Sequence, residues 1–212
     1  MRKILITLMT IQVSLAVLGC AGSTRTQKFV TLFNGENLSG WLTGPDNAWT
    51  VKDGELTVTR KMDGKEHNYD YLWTQDKYGD FILDLEFKVI EGTNSGIFFR
   101  TSDLQDPVYT GIEIQVSNSY GRSRISKKGT AGAVYDCLEP AKNAINKPGE
   151  WNRCTLTCKG SSIKVVLNNE QIIVMNLDRW TTPHKNPDGT DNKFGRAMKD
   201  FARVGYIGFQ DH

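Results

Sequence analysis

Phe81-Ile-Leu-Asp-Leu-Glu-Phe-Lys-Val89 decides the fold class. Every odd position is apolar, and after Ile82 the even positions are Asp84, Glu86 and Lys88. Side chains alternate between the faces of a strand with period two, so the run predicts a strand with one buried and one wet face. The same reading extends outward to 29–33, 49–52, 55–60, 71–74, 96–101, 111–117 and 132–135, then to 152–159, 162–167, 171–176 and 203–210, with the quoted run continuing to 90. Asp53-Gly54 is a tight hairpin signal between two of these strands, and Gly160-Ser161 and Asn168-Asn169 mark two further turns. No sustained helical period is present. Many short strands with Gly-rich turns over this length predict an all-β jelly-roll sandwich. Residues 178–202, rich in Asn, Asp, Gly, Pro and Lys, are the exception, and a loop of that length often shapes a binding site.

Gly111-Ile-Glu-Ile-Gln-Val116 carries the first candidate chemistry. Ile112, Ile114 and Val116 share one face, while Glu113 and Gln115 project together from the other. A carboxylate and a carboxamide side by side suit a polyhydroxylated ligand, and the carboxylate can also move a proton. The alternative is an ordinary half-exposed antiparallel strand. In Asn94-Ser-Gly-Ile-Phe-Phe-Arg100, Phe98 and Arg100 are expected on one face, with Arg100 placed to clamp a ligand oxygen or to form a surface ion pair. At the other end of the chain, Tyr206, Gly208, Gln210 and His212 share parity while Ile207 and Phe209 face the core. His212 follows a strand and stands beside Asp211, so it is the histidine suited to acid or base work. His67 and His184 lie in charged, loop-like surroundings.

The first residues read as an address. Arg2 and Lys3 precede a mostly apolar stretch from Ile4 to Leu18, too short and too polar for a comfortable membrane span. Val17-Leu-Gly-Cys20 has the form of a bacterial lipobox, which predicts cleavage after residue 19, lipidation of Cys20 and a flexible tether over 20–28. The sandwich domain then spans 29–212, and the expected location is the cell envelope, held to the membrane by the lipid anchor.

Without Arg2 and Lys3 the 26 basic residues fall to 24, equal to the 24 acidic ones. A chain with no basic surplus is a poor partner for nucleic acid. Beyond Cys20 the cysteines are Cys137, Cys154 and Cys158. The last two share strand parity but lie ~13 Å apart along a strand, too far for a mutual disulfide. Buried free thiols are expected, with a bond from Cys137 to one of them as the alternative. No zinc-type pairing is present.

Beyond these patterns, an ordered set of motifs carries a resemblance. Phe33-Asn-Gly35, Leu38-Ser-Gly-Trp41, Trp49, Asp53-Gly-Glu-Leu56, Asn94-Ser-Gly-Ile-Phe-Phe-Arg100 and Gly111-Ile-Glu-Ile-Gln115 come first. Gly132-Ala-Val-Tyr135, Pro148-Gly-Glu-Trp-Asn152, Leu167-Asn168 and Gly205-Tyr-Ile-Gly-Phe-Gln-Asp-His212 follow in the same order. Together they resemble the 3-keto-disaccharide hydrolase family from about residue 29 to the end. The resemblance implies a concanavalin A-like jelly roll acting on glycosides whose C3 hydroxyl is already a ketone. It also implies that Asn94, Arg100, Glu113, Gln115, Tyr135, Gln210, Asp211 and His212 line the pocket, with Trp41, Trp49 and Trp151 as packing residues. Members of that family continue past Gln-Asp-His with a further strand; after His212 either the sequence is a fragment or that strand is absent.

A ketone at C3 acidifies the C2 proton, and the group on C1 lies β to the resulting enolate. One base at C2 and one donor at the C3 oxygen then suffice to expel the aglycone. An ordinary glycosidase instead needs two carboxylates ~5–9.5 Å apart. On this reading Glu113 is the base and His212 its acid/base partner. Arg100, Gln115 and Tyr135 bind the oxyanion and hydroxyls, and Asn94, Gln210 and Asp211 complete the substrate contacts. No cofactor is implied, although Glu113, Asp211 and His212 have the chemistry to hold a divalent ion. The alternative function is a non-catalytic, lectin-like carbohydrate-binding module on the same sandwich.

Overall fold

A computed structural model describes residues 3–6, 12–15, 28–44, 47–59 and 71–211. In chain order the strands are β1 (Lys3–Ile6), β2 (Gln12–Leu15), β3 (Lys28–Thr31), β4 (Trp41–Thr43), β5 (Trp49–Lys52), β6 (Glu55–Thr59) and β7 (Tyr71–Thr74). They continue with β8 (Phe81–Lys88), β9 (Asn94–Thr101), β10 (Ile112–Ser117), β11 (Trp151–Lys159), β12 (Ser162–Leu167), β13 (Glu170–Asn176) and β14 (Tyr206–Gln210). The only α-helical element among the described residues is the single turn Pro107–Thr110.

Tight turns fix the registers. Asp53 and Gly54 both take positive φ, 53° and 77°, which matches the right-handed twist of the flanking strands and pairs Lys52 with Glu55. Asn168 and Asn169, at 51° and 67°, do the same between β12 and β13. Every ladder is antiparallel. One sheet has nine strands, with β13-β12-β11-β8-β1-β6-β5 along its main path and β2 joining β3 to β8. The other has five, in the order β10-β9-β14-β7-β4.

The core lies between the sheets. Strand β8 alternates buried and half-buried residues along its whole length, as its sequence requires, with Leu83 and Leu85 in the core beside Leu156 and Val165. The five-stranded sheet contributes Ile97, Phe99, Ile112, Ile114, Val116, Ile207 and Phe209. Trp41 and Trp49 pack on Phe209 at 5.6 and 6.2 Å between ring centroids, so both are packing residues. Fully burying one large apolar side chain contributes ~1.5–3 kcal/mol, which makes this layer the main source of stability. The all-β sandwich is the fold the sequence predicts.

Several details differ from the sequence reading. Residues 132–135 form no regular strand. Val134 makes isolated bridges to Ile114 and Leu138, and positive φ at Gly132 and Asp136 (84° and 66°) curls the segment on either side. It still runs along β10, because Gln115 N–H donates to Ala133 O and Tyr135 N–H to Glu113 O, both at 2.9 Å. Strand β4 was not foreseen. The thiols of Cys137, Cys154 and Cys158 are free and buried, and burial pushes each up to about 12.

The 178–202 excursion is packed. Phe194, Ala197, Met198 and Phe201 are buried, and the Phe194 and Phe201 rings meet edge-on at 5.0 Å. Asn186 organises the polar side: its carboxamide oxygen accepts from Trp180 Nε1 at 2.9 Å, and its amide donates to the Asp136 carbonyl at 3.1 Å. Few apolar anchors and a satisfied amide hub hold a sequence that lacks any periodic signal.

Candidate active site

The face of the five-stranded sheet turned away from the core is organised in two rows. In one, Trp73 pairs with Gly208, Gly208 with Phe98, and Phe98 with Glu113. In the next, Tyr71 pairs with Gln210, and Gly96 with Gln115, while Ser95 Oγ donates to the Gln210 carbonyl at 2.6 Å and ties the two halves together. Each row contains a glycine because a neighbouring side chain lies over it. A Cβ on Gly208 would meet Trp73 Cε3 at 2.1 Å, and one on Gly96 would meet Glu113 Oε1 at 2.6 Å.

At one end of these rows stands an aromatic group. Tyr71 and Trp73 stack at 5.0 Å, and both meet Phe98 edge-on, at 5.2 and 6.0 Å. Gln210 Nε2 donates to the Tyr71 hydroxyl at 3.2 Å. At the other end stands the polar group. Gln115 Nε2 donates to Asn94 Oδ1 at 2.8 Å, which leaves Gln115 Oε1 buried with no partner among the described residues.

Glu113 is the chemically distinctive member. Its side chain is only 8 % exposed, and Lys193 Nζ lies 3.6 Å from its Oε2. Burial outweighs the attraction of that ammonium and pushes the carboxyl up to about 7. Burial also lowers Lys193, against the pull of Glu113, Cys137 and Asp136. The ammonium sits 4.8 Å from the Tyr135 ring centroid and 5.3 Å from that of Phe194, and burial raises the Tyr135 phenol.

A polar cleft of about 760 Å³ adjoins this group. Asn94 and Gln115 form one wall, with Ser117, Tyr120, Arg122 and Lys128 around them. The volume falls in the ~300–1,000 Å³ range of small-ligand sites. Glu113 lies one step along β10 from Gln115, beneath Lys193, rather than in the cleft wall itself.

Asn94, Glu113, Gln115 and Tyr135 are therefore brought together, and Gln210 lies across the same face. Asp211 is buried directly after β14. His212 and Cys20 lie outside the described residues. Arg100 is a correction. Its φ of 52° breaks the strand alternation, so it does not share a face with Phe98, and its side chain is fully buried. Nη1 donates to the Gly160 carbonyl at 2.7 Å and Nη2 to the Gly79 carbonyl at 3.2 Å, with Asp80 at 3.4 Å. Gly160 lies in the turn between β11 and β12 and Gly79 and Asp80 in the connection from β7 to β8, so the guanidinium is taken up in tying the two sheets together rather than presented to the cleft.

Lys193, beside Glu113, and Tyr71 and Trp73, on the same sheet face, are neighbours of the candidate site that the sequence reading did not single out. The shared parity of Tyr71 and Trp73 opposite Leu72 was a usable signal; Lys193 offered none, because it sits in an aperiodic polar loop. Among the described residues, no three His, Cys, Asp or Glu side chains form a group that could hold a metal ion.

The fold is an all-β sandwich, and family and relatives make it a carbohydrate-active protein. The chain belongs to the family described as the 3-keto-alpha-glucoside-1,2-lyase-like domain, which it matches over residues 28–212. It is 26% identical to a 3-keto-disaccharide hydrolase of Bacteroides thetaiotaomicron, over 87% of this chain and 73% of that protein. A solved candidate glycosyl hydrolase from Parabacteroides distasonis is similar with 31% identity and a TM-score of 0.73, covering 84% of this chain and 88% of that one. A second from the same organism shares 28% identity at a TM-score of 0.59, over 86% and 76% of the respective chains.

Proposed function

We propose that the protein cleaves 3-keto-glycosides by elimination across C1 and C2, with Glu113 as the base. The observation that supports this most is a buried carboxyl poised near 7, on a rigid strand and beside a polar cleft. A base with that affinity is strong enough to take an activated proton and is still largely ionised just above neutrality. A single base fits a substrate whose ketone has already acidified C2–H, whereas direct hydrolysis of an unoxidised glycoside calls for a spaced carboxylate pair. Glu113 takes the C2 proton, and the electron pair passes into the enolate on C2, C3 and O3. The enolate then re-forms the C3 carbonyl, creates the C1–C2 double bond and releases the C1 oxygen, which leaves with a proton. Water can add to the enone afterwards. In this proposal Gln115 Oε1 and Asn94, both in the cleft wall, take sugar hydroxyls, and the substrate approaches Glu113 past Gln115. His212 is retained in this proposal as the acid/base partner, beside Asp211.

The amide-lined cleft wall of Asn94 and Gln115 favours a second reading, a lectin-like module that binds sugar without turning it over. Product analysis separates the two. Matched glucosides with and without the 3-keto group are incubated with the full chain, and release of the aglycone from the keto form alone supports elimination. Equal turnover of both points to a conventional glycosidase, and saturable binding without turnover to the module. By its first residues the protein is further proposed to be an envelope lipoprotein anchored through Cys20.

A further inference from the structure

We propose that Lys193 and Glu113 act as one enolising pair, the Lys193 ammonium holding the C3 carbonyl oxygen while Glu113 removes the C2 proton. The inference rests on the elimination reading above and adds the group that reading leaves unnamed, the one that carries the negative charge formed on O3.

Three observations converge on Lys193. It comes from the long packed loop rather than from the sheet, yet its side chain is only 14% exposed and ends 3.6 Å from the Glu113 carboxylate. That separation is an ion pair but not a hydrogen bond. Beyond Glu113, the ammonium faces the rings of Tyr135 at 4.8 Å and Phe194 at 5.3 Å, and Cys137 and Asp136 also act on it electrostatically. An ammonium has three protons to donate, so this one is held in place by rings and charge with donors to spare. A ligand oxygen is the natural recipient.

The spacing also matches the chemistry. With C–C and C=O bonds of ~1.52 and ~1.23 Å, an α-carbon and the oxygen of the adjacent carbonyl are ~2.4 Å apart. A base oxygen and a donor nitrogen 3.6 Å apart can each reach its own atom of that unit at ~3 Å. The proton goes from C2 to Glu113, the C–H electron pair becomes the enolate, and its charge settles on O3 against the Lys193 ammonium. When the enolate re-forms the carbonyl, the C1–O bond breaks and the departing oxygen takes a proton from Glu113 or from water. No bond to Lys193 is made or broken. A fixed cation aimed at developing charge in a water-poor site typically contributes ~10²–10³-fold. Tyr135 and Phe194 confine it, since a ring face holds a cation loosely by its quadrupole and leaves the protons free.

The test uses 3-keto-1,5-anhydroglucitol, which has no group to expel at C1, and follows exchange of its C2 proton in D2O by NMR. Release of 4-nitrophenol from both anomers of 4-nitrophenyl 3-keto-glucoside is measured in parallel. The wild type should do both, and Lys193→Met should lose ~10²-fold or more in both rates. Lys193→Arg should retain more of each rate than Lys193→Met, and added methylammonium should partly restore Lys193→Ala. Thermal midpoints check that the variants are folded, and the amine rescue separates a chemical role from a structural one. Near wild-type exchange and cleavage by Lys193→Met overturns the role of Lys193 while leaving the elimination reading intact. Variants that lose activity without any rescue, and with Arg no better than Met, also overturn it. A wild-type protein that neither exchanges C2–H nor releases nitrophenol overturns the elimination reading itself.

Discussion

The Glu113 side chain lies across Gly96 on the neighbouring strand, so closely that a methyl at position 96 would sit 2.6 Å from Oε1. The glycine is there to make room. Its own φ is not in the left-handed region, so alanine fits the backbone at that position, and the strain falls on the glutamate side chain from Cγ outward. Gly96→Ala should therefore displace the carboxylate with little loss of stability. A misplacement of ~1 Å can cost ~10²-fold in rate, and a loss of that order with a melting temperature within a few degrees of wild type is expected. Unchanged activity would show that the carboxylate position does not matter to turnover.

Glu113 should also set the acid side of the pH profile. The base works only when ionised, so activity should rise with pH through about 7 and then level off. The groups that act on this carboxyl are Lys193, which lowers it, and burial, which raises it; Tyr135 also lies beside it. Glu113→Gln should lose ~10²–10⁴-fold and no longer show the rise. Replacing Lys193 by methionine removes the attraction that holds the carboxyl down, so the residual rise should move to higher pH. Stability gives an independent readout. Because the folded carboxyl holds its proton more tightly than an unfolded one, the folded state binds more protons between about 4.5 and about 7. Stability should then fall as pH rises across that window, by up to about 3 kcal/mol, and Glu113→Gln should not share this fall. A wild-type rate that is flat from pH 5 to 8 would contradict the assignment.

How far the sequence could be read depended on whether a residue's neighbours were local. Ile112, Glu113, Ile114 and Gln115 were legible because parity alone decides their faces. The Asp53-Gly54 and Asn168-Asn169 turns were legible because both positions must take positive φ, which few residue types favour. Arg100 was misread for the same kind of reason: parity was extrapolated through a residue whose own φ is 52°. Lys193 was invisible because its position depends on Trp180, Asn186 and Phe194 folding the loop back onto β10, and no local pattern reports such a contact. The need for glycine at 96 and 208 was not legible either, because each makes space for a side chain on an adjacent strand.

Arg100 should behave as a structural tie. Its guanidinium satisfies the Gly79 and Gly160 carbonyls and faces Asp80. Arg100→Met takes the donor away from the half-buried Gly79 carbonyl and the exposed Gly160 carbonyl and keeps the unfavourable φ. Losing hydrogen bonds from a charged donor costs ~1.5–3 kcal/mol, which should appear as a lower denaturation midpoint with little change in KM at temperatures where the variant is folded. A variant of normal stability that no longer binds substrate would return Arg100 to the site.

The N-terminal prediction has a structural consequence that makes it sharper. Lys3–Ile6 lies between β8 and β6, with Leu5 opposite Lys88 and Ile4 opposite Val58. Gln12–Leu15 runs along the other end of β8, with Leu15 opposite Phe81. Cleavage after residue 19 would remove both strands and leave backbone groups of β8 and β6 without their ladder partners, so another strand must fill that place or the sheet opens there. We expect the mature protein to begin at an acylated Cys20 and to partition with membranes, and Cys20→Ala to block processing or release the protein. Mass spectrometry of the N-terminus decides the first point. Amide hydrogen exchange at those amides of residues 81–88 that point away from β11 decides the second: their protection in a chain that starts at Cys20 means a different strand has taken the position, and their rapid exchange means the edge is open. Recovery of a chain that keeps residues 1–19, with 81–88 protected, would set the cleaved leader aside and assign Lys3–Ile6 a permanent place in the sheet.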